Sequence, residues 1–92
     1  RSVVRRAMEE DPSPGVRAAA FRELHRIDPE ALGAERARFA ADESWVLREA
    51  ATLALADLAE LADPELLLRE LAARRDDPAS PVRNAAAQVL FE

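Results

Sequence analysis

DPSPGVR at residues 11–17 returns in outline as DESWVLR at 42–48 and as DPASPVR at 77–83. Each copy opens on Asp, reaches an aliphatic residue five positions later and places Arg at the sixth. Taking Arg17, Arg48 and Arg83 as anchors, the residue before is Val16, Leu47 or Val82. The second and third residues after are Ala-Ala in every copy, and the seventh is Leu24, Leu55 or Leu90. Minus one, plus three and plus seven are steps of four, so these side chains stack along one face of a helix, and the Ala at plus two widens the stripe. Small residues at two stripe positions let a neighbouring helix approach closely. One amphipathic helix therefore recurs three times.

A second marker shares the period. Asp28-Pro29-Glu30 and Asp63-Pro64-Glu65 lie 35 residues apart, as do Asp42 and Asp77. Asp at the cap, Pro at the first helical position and an acid in the first turn form a coherent helix start, because Pro has no N–H to leave unpaired and the acid complements the helix dipole. Ser13, Ser44 and Ser80 precede the three stripes, where a hydroxyl can accept an orphan backbone N–H. Each repeat thus holds two helices. The pattern predicts six, at about 2–10, 14–27, 29–40, 45–61, 64–75 and 81–91, joined by short turns and antiparallel within each pair. The fourth is one turn longer, since Arg17 precedes Asp28 by eleven residues and Arg48 precedes Asp63 by fifteen. The third, with Gly33 and few large apolar residues, is the weakest.

Composition agrees with an all-α fold. Ala, Leu, Arg and Glu dominate the 92 residues, aromatics make up 4%, and a sheet would lack the β-branched and aromatic side chains it needs. There is no cysteine, which excludes disulfides, thiolate metal sites and a Cys nucleophile. The Leu-rich run ATLALADLAELADPELLL is interrupted by Asp57, Glu60 and Asp63 and does not read as a membrane span. No signal pattern opens the chain, and cytoplasm is the default compartment. The net charge of −5 opposes nonspecific attraction to nucleic acid or anionic lipid. All thirteen cations are Arg, a bias that coding preference explains.

Asp and Arg six apart, an aliphatic residue before the Arg, Ala two and three after it, and a helix-turn-helix period in the thirties resemble HEAT repeats, in particular the short bacterial form shared with phycobilisome-lyase-type proteins. The resemblance covers residues 1–92 as one domain, with repeats at about 1–27, 28–62 and 63–92. It implies an α-solenoid of three antiparallel pairs, the first helix of each on the convex side and the second on the concave side. It also implies a structural ladder in which Asp11, Arg17, Asp42, Arg48, Asp77 and Arg83 link successive repeats. Stacking matters because one pair cannot cover its own apolar face. A start at Arg1 without Met and a finish at Glu92 without a polar capping helix suggest a segment of a longer array.

Chemistry-bearing residues do not assemble into a catalytic set. Acids beside Asp11, Asp42 and Asp77 gather along one rim, but calcium needs converging oxygens on a shaped loop, and no such spacing occurs, so no metal is expected. His25, the only histidine, falls on the predicted exposed side of its helix without a partner for coordination or nucleophile activation. No phosphate loop, nucleophile elbow or HExxH run is present, and no cofactor is expected.

The functional expectation is a noncatalytic scaffold that binds a protein partner through its concave face. Candidate contacts are the residues of the second helices outside the stripe: Arg22 and Arg26, then Glu49, Thr52, Leu53 and Asp57, then Asn84 and Gln88, with Ala18 beside them. Trp45 at the start of the fourth helix either covers the adjoining turn or serves as an aromatic anchor. A second reading makes the chain an accessory repeat segment of a larger enzyme, lyase-type or the C-terminal part of a metallopeptidase. A third, nucleic-acid binding, requires Arg5, Arg22, Arg26 and Arg36 to converge and is opposed by the net charge. Exposed repeat ends, at Val3, Val4 and Met8 and at Val89, Leu90 and Phe91, predict self-association.

Overall fold

The computed structural model of the chain describes residues 2–58 and 63–91. Helices α1 (Ser2–Glu10), α2 (Pro14–Ile27), α3 (Gly33–Ala40), α4 (Trp45–Leu53), α5 (Pro64–Arg74) and α6 (Ser80–Leu90) follow one another, and there is no strand among the described residues. Local chemistry sets three of the six starts. Ser13 Oγ accepts from Val16 N at 3.3 Å, Ser44 Oγ from Val46 N at 3.3 Å and Asp63 Oδ1 from Glu65 N at 3.0 Å. At α6 the expectation of a Ser80 cap fails: Ala79 occupies the cap and Ser80 is the first helical residue.

Two helices depart from regular α geometry. The one expected over 29–40 begins as a 3-10 turn at Glu30–Leu32, because Ala31 N is drawn back three residues, to the carbonyl of Asp28 at 3.2 Å and to its carboxylate at 3.4 Å. The one expected over 45–61 stays α-helical only to Leu53, then tightens into a 3-10 segment at Ala54–Leu58, and residues 59–61 lie outside those described. Thr52 Oγ1 donates to Arg48 O at 2.8 Å at the point where the winding changes, and such back-bonding by a Thr bends helices.

The second helices α2, α4 and α6 pack on one another in sequence and each packs on its own first helix. The core falls into two parts. The larger joins the first two pairs through Met8, Phe21, Leu32, Phe39 and Leu47, with the Phe21 and Phe39 rings edge to face at 5.1 Å. The smaller seats the third pair through Leu55, Leu58, Leu71 and Ala86. Fully burying one such large side chain contributes about 1.5–3 kcal/mol, so the first two pairs carry most of the apolar stabilisation.

Burial along the three equivalent helices follows the stack. In α4 and α6 the minus-one and plus-two positions are buried (Leu47 and Ala50, Val82 and Ala85), whereas in α2 Val16 is 45% exposed and Ala19 is exposed. These positions are covered by the preceding pair, which α2 lacks in this structure. Plus one, plus four and plus eight show the opposite trend. Ala18, Phe21 and His25 are buried, Thr52 is buried between half-buried Glu49 and Ala56, and Asn84, Ala87 and Phe91 are exposed. They face the following pair. The expectation of open apolar ends therefore needs correction: Met8 is fully buried, and Val4, Val89 and Leu90 are half-buried against the core, so that of the apolar residues expected there only Val3 and Phe91 are exposed.

Candidate protein-interaction surface

Polar side chains span the gaps between first helices that apolar packing spans between second helices. Arg5 Nη1 of α1 lies 3.5 Å from Glu35 Oε2 of α3, and Arg74 Nη1 of α5 donates to Ala40 O of α3 at 2.6 Å. The second helices thus meet by direct packing and the first helices through side-chain bridges. A groove of about 130 Å³ opens between α3 and α5, floored by Thr52 and Leu55 and flanked by Leu67 and Arg74.

The residues expected on the second-helix surface do not all reach it. Arg22, Asn84 and Gln88 are exposed, and so is Arg26, which pairs with Glu23 at 2.7 Å. Glu49 and Leu53 are half-buried. Thr52 is a correction: it is not on the open surface but 1% exposed at the floor of the groove, because plus four faces the following pair. Ala18 is buried for the same geometric reason at plus one. Trp45, the first residue of α4, is 45% exposed.

His25 is the second correction. Expected on the exposed side, it is fully buried, at plus eight on the face turned to the second pair. Its Nδ1 lies 3.0 Å from Asp57 Oδ2 and its Nε2 lies 3.5 Å from Arg36 Nη1. The guanidinium has only donors, so Nε2 is the acceptor and the Nδ1–H donates to Asp57. The imidazole ties α2 to α3 and to the 3-10 segment after α4, and it commits one Asp57 oxygen. The sequence carried a signal for this: Ala18, Phe21 and His25 are spaced three and four apart, a second apolar stripe beside the first.

The ladder residues adopt two arrangements. Arg48 Nε and Nη2 grip Asp77 Oδ2 and Oδ1 at 2.8 and 3.1 Å, and its Nη1 donates to the carbonyls of Asp42 and Glu43, both at 2.9 Å. The Arg48 donation holds the Asp77 carboxyl below its ordinary value of 3.8, the Ala79 N–H and the charges of Arg48 and Arg74 act in the same sense, and burial opposes them. Arg83 Nη1 repeats the carbonyl contacts, to Asp77 O at 2.8 Å and Pro78 O at 3.0 Å. Arg17 does not reach Asp42. Its Nε donates to Met8 O at 3.0 Å and its guanidinium lies over the Phe39 ring. Arg17 precedes Asp42 by 25 residues and Arg48 precedes Asp77 by 29, a difference of one helical turn and about 6 Å of axial travel.

Among the described residues no three His, Asp or Glu side chains converge as metal ligands, and no helix is long and apolar enough to cross a membrane. Three stacked antiparallel pairs, with no strand among the described residues, define an α-solenoid. A family model for HEAT repeats matches residues 2–90, and the chain belongs to the HEAT-repeat family. Searches of curated proteins and of solved structures returned no match.

Proposed function

We propose that the chain is a noncatalytic module that binds a protein partner along its second-helix layer. Proteins of the HEAT-repeat family are generally interaction scaffolds and are typically noncatalytic. The observation that carries the reading is the direct packing of α2, α4 and α6 on one another, while α1, α3 and α5 are linked by side-chain bridges. That asymmetry supports taking the second helices as the inner, continuous layer, on which Arg22, Arg26, Asn84 and Gln88 are exposed and Glu49 and Leu53 half-exposed. The mixture of both charges, amides and one aliphatic side chain suits a protein surface better than a phosphate backbone. The short bacterial form of the repeat and a cytoplasmic setting fit the same reading.

Site-specific photo-crosslinking in the source cells tests it. A photoreactive residue at Arg22 or Gln88 should capture the same partner, and one at Ala34 or Arg69 on the first helices should not. Capture from the first-helix positions alone would overturn the assignment of the binding face.

A further inference from the structure

Arg48 and Asp77 show how one pair of helices is locked to the next, and the outer pairs carry the two halves of the same lock. On α6, Arg83 holds its own turn carbonyls as Arg48 does, and among the described residues its Nε and Nη2 have no partner. Those are the two atoms with which Arg48 grips Asp77. At the first pair, Asp11 Oδ1 accepts from Ser13 N at 2.9 Å, matching Asp77 Oδ1 with Ala79 N at 2.9 Å, so its carboxylate is set in the same turn. Both turns open on Asp-Pro. Asp11 Oδ2 has no partner among the described residues.

The apolar groups around these charges are also complementary. Phe91 is 85% exposed and stands eight residues beyond Arg83 along α6, about 12 Å. Val3 is 79% exposed and stands eight residues before Asp11 along α1, again about 12 Å. Between Val3 and Asp11 lies a shallow hollow of about 340 Å³, lined also by Arg6, Ala7 and Glu10. Exposed Ala87 and Ala19 keep the adjoining helix faces low, as the Ala pairs do inside the stack.

We propose that two copies of this chain stack head to tail, Arg83 of one gripping Asp11 of the next while Phe91 enters the hollow between Val3 and Asp11. Inside the chain the Arg17–Asp42 rung is lost to a spacing one turn short. Between separate copies no linker fixes the spacing, and the Arg48–Asp77 geometry is attainable. The contact is heterologous, so it leaves one face of each kind open and propagates. It covers Asn84, which at plus one faces a following pair, and leaves Arg22, Arg26 and Gln88 of the second-helix layer open, so neither reading depends on the other.

Sedimentation velocity of the 92-residue chain over a wide concentration range provides the test. The wild-type chain should associate with concentration, and Arg83→Asp or Asp11→Arg should each weaken association on the order of tenfold or more. The D11R/R83D double substitution should restore it, because each junction then pairs the same charges in reverse. An equimolar mixture of the R83D and D11R proteins should likewise associate beyond a dimer, the wild-type junction alternating with the reversed one, whereas each protein alone meets only like charges. Phe91→Glu, at a side chain outside the core, should also weaken association and guards against an Arg83 variant that merely folds poorly. A chain that stays monomeric at hundreds of micromolar, or association that neither R83D nor F91E changes, overturns the proposal.

Discussion

Replacing Arg48 by Ala should destabilise the chain far more than the same change at Arg83, although the two residues occupy equivalent positions. Each loses two hydrogen bonds from Nη1 to turn carbonyls, about 1 kcal/mol in all for side chains near solvent. Arg48 also leaves Asp77 unpaired. An exposed ion pair contributes about 0–1 kcal/mol and breaking a buried one costs about 3–5. With side chains 16% and 7% exposed, gripped through two nitrogens but close to the surface, the pair falls between these limits, at about 2 kcal/mol. Arg48→Ala should therefore cost about 3 kcal/mol and Arg83→Ala about 1. Urea unfolding of both variants measures the difference. The pH dependence gives a second check. Because the folded-state pKa of Asp77 is depressed, its contribution is present above the ordinary value of 3.8 and is lost as pH falls through the lower folded value. The gap between wild type and Arg48→Ala should narrow over that acidic range. Losses at Arg48 and Arg83 that agree within about 0.5 kcal/mol would refute the reasoning and reduce the Asp-to-Arg spacing to a capping pattern.

His25→Ala should cost about 2 kcal/mol, since it empties a buried site against the Phe21 ring and frees Arg36 and Asp57, whereas Asp57→Ala, at a surface carboxylate, should cost less than about 1. Thermal unfolding separates the two. Thr52→Arg should abolish cooperative folding because it forces a charge and extra volume between pairs, while Gln88→Arg should stay within about 0.5 kcal/mol of wild type. Circular dichroism melts of the two variants distinguish a buried Thr52 from an accessible one.

The helices were legible because their starts are chemical and repeated. Ser13 and Ser44 cap where their positions before the stripes implied and Asp63 where the Asp-Pro-Glu marker did, whereas the extra turn that the four-residue difference in spacing pointed to falls on residues outside those described. What one helix could not reveal is that in a stack it is covered on two flanks. Ala18, Thr52 and His25 lie outside the stripe and vary between copies, which reads as solvent exposure on an isolated helical wheel. The following pair buries them instead. Asn84 and Ala87, at the same offsets in the third copy, are exposed, so residue type alone did not distinguish the cases. The 3-10 stretches escaped for a different reason. They depend on the Thr52 hydroxyl taking Arg48 O and on both Asp28 oxygens drawing Ala31 N, choices among partners that the sequence equally allowed elsewhere.

Native-state hydrogen exchange in low urea tests most directly the claim that the chain is a stack of pairs with unequal docking. The third pair rests on a small cluster and the Arg48–Asp77 contact, and the first two pairs share the larger core. Amides of α5 and α6 should therefore open at a lower free energy than those of α2 and α4, with the α6 amides losing protection further in Arg48→Ala. A single opening free energy common to all six helices, unchanged in pattern by Arg48→Ala, would contradict serial docking and make the chain one indivisible unit.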